Sequence, residues 1–225
     1  MQNNDLDARF LSTLSHDLRG GLHSVQLAMD MLRGDVLESV PMEQLLGDVE
    51  FARRSLVETG ARAERIVCAR RIQRGTMPVR FGEADIVPAV QAAIRFTALA
   101  EEDAVNRVVL EAPERVVVRS DGRLVSELLG GLLDHALRTV VGGKIRVVLD
   151  AGGLLEVAVD KPWITNELNA VLAVATNDPP FGEPTLGLYV AAGVARLINT
   201  QLRVTSDRAV QVALAVQAAG TPAEC

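Results

Sequence analysis

His16 stands between Ser15 and Asp17, and its imidazole is the side chain of this sequence best placed to do chemistry. A neutral imidazole offers one nitrogen lone pair as nucleophile, base or metal ligand, and the hydrogen bond made by the other nitrogen decides which one. Apolar residues run past it as Leu11, Leu14, Leu18, Leu22, Val25, Met29 and Leu32. Their three- and four-residue steps draw one stripe along a helix. His16 lies two residues from both Leu14 and Leu18, about 200° around the helix, so its ring points away from the stripe and into solvent. The ordinary expectation for such a histidine is a solvated surface residue. His23 is a poor metal co-ligand for it, being two turns away with no third ligand in evidence.

Ser12, Arg19, Gly20, His23 and Leu27 share the His16 face by steps of three and four. Leu27 puts an apolar side chain on a face that should be wet. Single exposed apolar residues are common, yet its place beside His16 makes it a candidate contact for a docked partner, with the four others. Asp17 is a candidate to orient the imidazole, although consecutive helix residues do not face each other, so a suitable rotamer is required.

The stretch FLSTLSHDLRGGLHSV, residues 10–25, resembles the H-box of sensor histidine kinases, F-L-x-x-[VL]-S-H-[DE]-L-R-T-P-L-x-x-[IV]. It matches at Phe10, Leu11, Leu14, Ser15, His16, Asp17, Leu18, Arg19, Leu22 and Val25. The resemblance makes His16 the phosphoryl-accepting residue and Asp17 the acid that holds its ring. It departs at Gly20 and Gly21, where the family has Thr-Pro. Four residues after the histidine many such kinases carry a Thr or Asn that positions a water for phosphatase activity. Gly20 offers no side chain for that, so little phosphatase activity is expected. Each glycine also costs the helix roughly 1 kcal/mol relative to alanine.

These residues need a scaffold. Gly34 is a helix stop in prospect, and after a loop closing at Pro41 a second series begins. Leu45, Val49, Ala52, Leu56, Thr59, Ala63 and Ile66 keep alternating steps of four and three, a heptad seam that Gly75 and Pro78 end. Two such helices form an antiparallel hairpin, and a hairpin alone has too little to bury its stripes against. Pairing two hairpins into a four-helix bundle solves this, so a homodimer is expected. The second helix also carries Arg53, Arg54, Arg62, Arg65, Arg70, Arg71 and Arg74. A solvated face is the first reading of that series, attraction of a carboxylate-rich receiver domain the second, and nucleic acid a distant third.

From about Phe81 the pattern changes to helices alternating with β-branched runs. Helical segments are expected from Ile86 to Ala100, Leu124 to Val140 and Thr185 to Ile198. Strands are expected at Arg107–Leu110, Arg115–Val118, Lys144–Leu149, Leu154–Val159, Gln201–Thr205 and Ala209–Val216. The fold class is therefore α+β, with a helical hairpin over residues 1–78 and an α/β sandwich over residues 79–225. The border falls near Gly75 to Gly82, and the small-residue tail after Ala218 reads as loose.

Residues 85–216 resemble, in order and spacing, the GHKL-type ATP-binding domain of histidine kinases. The family's N-L-L-x-N-A-x-K box, whose Asn binds magnesium, has Gly131 and His135 at its two Asn positions, with Arg138 as the basic residue. Histidine is a poor substitute for an amide oxygen on hard Mg²⁺. The D-x-G-x-G box reads Asp160-Lys161-Pro162-Trp163-Ile164, keeping the acid and losing both glycines. Pro162 and Trp163 would fill a nucleotide pocket, as would a Trp163 that is simply a core residue. The last glycine box reads Glu183-Pro184-Thr185-Leu186-Gly187-Leu188, and one glycine makes no phosphate cradle. The segment between Thr165 and Thr185 is short for the family's lid. Asp160, Arg138 and Gly187 are thus vestiges, and no cofactor is expected on this chain.

An H-box hairpin joined to a degenerate ATPase domain resembles histidine phosphotransferases of the ChpT type. That resemblance implies relay of a phosphoryl group between receiver-domain aspartates through a phosphohistidine at His16. The partners would be response-regulator receivers or the receiver of a hybrid kinase, with Mg²⁺ supplied by the receiver. Two alternatives stay open: an ATP-dependent kinase core with divergent boxes, and a non-catalytic pseudokinase that binds a response regulator. Composition agrees with a signalling protein. Apolar residues make up 48% of the 225 and aromatics 3%, so the core is aliphatic. The net charge of −6 lacks the basic field that general nucleic-acid binding needs. Cys68 and Cys225 form no metal or disulfide framework, and no signal peptide or spanning run is seen, so a cytoplasmic setting without membrane contact is expected.

Overall fold

The computed structural model describes residues 2–100, 107–163 and 185–215. Ile164, the 165–184 segment with Glu183 and Pro184, the strand end at Val216, the tail beyond Ala218 and Cys225 lie outside the described residues. Two long helices come first, α1 (Gln2–Leu37) and α2 (Met42–Gln73). Gly34 does not stop α1: its carbonyl accepts from the Glu38 amide, and the helix runs on to Leu37. The reversal is made by Ser39, at φ 55°, and Pro41 then opens α2 with the fixed φ that suits a helix start. Gln44 Nε2 donates to Asp35 Oδ2 across the turn at 2.5 Å. Gly75, at φ +65°, ends α2 as a left-handed cap, with its amide on the Ile72 carbonyl.

The second unit holds β1 (Gly82–Asp85), α3 (Val87–Ala100), β2 (Val108–Glu111), β3 (Val117–Ser120), α4 (Gly122–Thr139), β4 (Ile145–Leu149), β5 (Leu154–Val159), α5 (Leu186–Leu197), β6 (Leu202–Ser206) and β7 (Ala209–Ala213). The expected helices and strands are present with ends shifted by no more than two residues, except that the last strand stops at Ala213, short of the expected Val216, which lies outside the described residues. β1 is an addition that sequence reading did not anticipate, because Gly-Glu-Ala-Asp has neither β-branched residues nor alternation. It pairs antiparallel with β3, and Asp85 Oδ1 secures its end by accepting the Val87 and Val116 amides at 3.2 and 3.1 Å. Among the described residues, the other five strands form one sheet in the order β2-β4-β5-β7-β6, with only the β2–β4 pair parallel. Ile145, Val147, Leu155, Val157, Val210 and Val212 project from one face of that sheet into a core shared with Leu128, Leu132, Val190 and Val194 of the covering helices.

That core does not stop at the domain border. Ile66, Cys68 and Ala69 of α2 are buried in it, and Phe10 and Leu14 of α1 pack against it. Gly193 on α5 admits Ile72, for a Cβ at 193 would lie 2.6 Å from Ile72 Cγ2. The end of the hairpin nearest the sandwich is therefore built into it. The rest of the hairpin leaves a continuous apolar stripe in solvent: Leu11, Leu18, Leu22, Met29 and Val36 on α1, with Met42, Val49 and Leu56 on α2. The heptad seam of α2 is split accordingly, Ala52 and Ile66 being buried while Val49 and Leu56 are exposed. Among the described residues, no helix is long and apolar enough to cross a membrane.

Candidate active site

His16 sits near the middle of α1, and its side chain is 85% exposed. Asp17 beside it is 7% exposed, and its Oδ1 lies 3.2 Å from His16 Nδ1. A carboxylate only accepts, so Nδ1 carries the proton of that bond, and in the neutral ring the lone pair is then on Nε2. The other carboxylate oxygen of Asp17 accepts from Arg62 Nε at 2.5 Å, reaching across from α2. The rotamer that Asp17 needed is thus held by a second helix.

A groove of about 280 Å³ runs beside the imidazole, with His16, Asp17, Gly20 and Ser24 on one wall and Ser55, Glu58, Thr59 and Arg62 on the other. Gly21 makes this narrow seam possible. A Cβ there would lie 1.8 Å from Thr59 Oγ1 and 2.6 Å from its Cβ, whereas a Cβ at Gly20 would meet nothing within 4 Å. The two glycines have opposite meanings, one packing helix on helix and the other opening space next to the histidine.

Among the residues assigned to a partner from the sequence, Gly20 lines the groove. Ser12, Arg19, His23 and Leu27 are exposed on α1 and do not line it. The α2 wall, Arg62 above all, was not singled out from sequence. The signal was the turn at 38–41: Asp17 and Arg62 lie equally far from it in sequence, as Gly21 and Thr59 nearly do. A short turn fixes such pairings in an antiparallel hairpin. Nor is the arginine series of α2 simply solvated. Arg62 binds Asp17, Arg65 binds Asp134 at 2.8 Å, and buried Arg70 and exposed Arg74 both reach Asp7. The Arg70 and Arg74 guanidinium groups hold the Asp7 carboxyl below its usual range.

No family model matches the sequence, and no curated protein matches it. Solved structures do match. The histidine kinase AdeS of Acinetobacter baumannii aligns at 16% identity with a TM-score of 0.51, over 90% of this chain and 98% of that one. A bacterial phosphotransferase aligns at 15% identity and a TM-score of 0.51, over 93% and 95%. The cytoplasmic segment of the histidine kinase QseC aligns at 14% and 0.50, over 70% and 96%. The chain has the histidine kinase core fold.

Within that kinase fold, the positions matched to nucleotide motifs make other contacts. Gly131 on α4 and Gly187 at the start of α5 bring the two helix backbones together: a Cβ at 131 would lie 2.4 Å from the Gly187 carbonyl oxygen, and one at 187 would lie 2.6 Å from that of Gly131. No metal-binding side chain fits at 131 in this packing. Trp163 is 1% exposed and donates Nε1–H to the Arg208 carbonyl at 2.8 Å. His135, buried against it with ring centroids 5.9 Å apart, is a packed residue. Asp160 is exposed at the rim, beside Gly143. Arg138 pairs with Asp134 at 3.0 Å and with Glu58 of the groove wall at 3.4 Å, so it ties the second unit to the hairpin. Among the described residues, no group of three or more His, Cys, Asp or Glu could hold a metal ion.

Proposed function

We propose that this chain is a histidine phosphotransferase that relays a phosphoryl group between receiver-domain aspartates through a phosphohistidine at His16. The observation that carries the reading is an exposed imidazole that lines an open groove and whose Nδ1 is engaged by Asp17. In-line attack of Nε2 on an aspartyl phosphate forms the P–N bond and breaks the P–O bond to the aspartate. The second receiver's aspartate reverses the exchange. Asp17 neutralises the imidazolium that forms.

The reading includes transfer without ATP. The residues at the nucleotide motifs do not fit the group: Gly131 has no room for a ligand side chain, and Trp163 with His135 fills interior space. Magnesium would come with the receiver. Gly20 leaves no side chain to hold a hydrolytic water, so phosphohistidine should outlast the exchange. The apolar stripe from Leu11 to Val36 supports a homodimeric four-helix bundle, since contiguous exposed apolar surface on a soluble helix marks an interface.

The test is a phosphotransfer profile of the purified chain against a panel of phosphorylated receiver domains, with His16→Ala as control. Label should move onto the wild type and on to a second receiver, and not through the variant. Labelling of His16 by ATP alone would replace this reading with a kinase. Relay that survives His16→Ala would remove His16 from it.

A further inference from the structure

We propose that Arg62 is a positioning residue for His16, acting through Asp17 to set which imidazole nitrogen is free; this rests on the reading of His16 as the phosphoryl carrier. A ring that is 85% exposed has little packing to fix its rotation or tautomer. Asp17 alone is a weak guide, because neighbours on a helix diverge by about 100° and a carboxylate next to a solvated ring can turn to water. Its Oδ2 is instead fastened to Arg62 Nε at 2.5 Å, which presents Oδ1 to His16 Nδ1 at 3.2 Å. The order of control runs from the α2 backbone through the guanidinium and the carboxylate to the ring.

The arrangement is specific to arginine at this place. Its planar guanidinium can bind the carboxylate through Nε while its terminal nitrogens point elsewhere, which an ammonium cannot reproduce. Glu58, one turn before Arg62 on α2, would be a local alternative partner, but Arg138 of the second unit holds it at 3.4 Å. With Nδ1–H fixed, the transfer needs no proton to leave. Nε2 donates its pair to phosphorus, the aspartate departs as carboxylate, and the Nδ1 proton stays on the phosphoimidazole facing Asp17. The wrong tautomer puts a proton on Nε2 and blocks attack, as losing an orienting acid does in other imidazole catalysts.

The experiment compares wild type, Arg62→Gln, Arg62→Lys and Asp17→Asn by ¹⁵N NMR of the His16 ring and by the rate of His16 phosphorylation from phosphoramidate. This small donor removes any partner contact from the readout. The expected result is an unprotonated Nε2 in wild type and a shift toward the Nε2–H tautomer in all three variants. The phosphorylation rate should fall roughly 10–100-fold, the usual cost of losing a residue that orients a reactive group. Arg62→Gln with Asp17→Asn should be no worse than Asp17→Asn alone. An unchanged tautomer and rate in folded Arg62→Gln and Arg62→Lys would overturn the proposal, as would a loss of thermal stability with the tautomer intact. If either Arg62 variant fails to fold, the other with Asp17→Asn decides. A tautomer shift in a protein that exchanges phosphate with no receiver would leave Arg62 in its role and remove the relay.

Discussion

The paired glycines after Asp17 show how two identical residues can carry opposite energetics. A Cβ at Gly20 enters open space, so Gly20→Ala should stabilise the helix by up to about 1 kcal/mol, through propensity and a less free unfolded chain. A Cβ at Gly21 collides with Thr59 on three atoms, so Gly21→Ala should cost about 1–3 kcal/mol as the helices are forced apart. Calorimetry should therefore show the melting temperature rising for the first variant and falling for the second, and Thr59→Ala should recover part of the second loss. A change of like sign for both would mean that the α1–α2 seam is looser than this geometry. At this scale the sequence was legible where a side chain advertises chemistry: His16 and Asp17 were named from the H-box and their face. Arg62 was not, because it sat among six other arginines, and only knowledge of which α2 residue opposes Asp17 separates it from them.

Elements were legible where periodicity is strong. Both long helices, their turn and the order of the sandwich follow from spacing alone, whereas β1 has no pattern to read and Gly34 carries a stop signal past which the α1 hydrogen bonding continues. What periodicity does not convey is which element packs on which, and the α2–α3–α4 junction is the instructive case. Glu127 of α4 lies there with Glu64 of α2 opposite, and burial together with that like charge pushes its carboxyl above the usual range, against the pull of Arg123 and Arg65. Its folded pKa is raised, so between the unfolded value of about 4.5 and the raised value the folded state holds the extra proton. Stability should thus be favoured at the acid end of that window and decline as pH rises through it. Glu127→Gln removes the titration. Its melting temperature should match wild type near pH 4 and exceed it at pH 7, by about 2–4 °C for each kcal/mol relieved. A wild-type curve that rises between pH 4.5 and 7 relative to the variant would contradict the arrangement.

The molecule as a whole is divided by burial differently from its sequence. The chain reads as a hairpin plus a sandwich, yet the C-terminal half of α2 belongs to the sandwich core, and Cys68 reports on that union. Burial pushes its thiol up to about 12, with the Glu127 charge adding to the effect, so the reactive thiolate is scarce. In a Cys225→Ser background, Cys68 should resist thiol reagents at pH 8 and react only at the rate at which α2 and the sandwich separate. The other half of the hairpin has the reverse problem, a stripe left exposed among the described residues. Each fully buried Leu or Met there would contribute about 1.5–3 kcal/mol, far more than a monomer recovers by leaving it wet. Wild type should therefore sediment as a dimer of the 24.1 kDa chain, and Leu22→Glu, which sets a charge in the middle of the α1 stripe, should sediment as a monomer. Because the stripe lies apart from the α2–sandwich core, that monomer should keep Cys68 protected. If Leu22→Glu instead exposed Cys68 while the protein remained dimeric, the stripe would be packing within one chain and the bundle would have to be assigned to a different face.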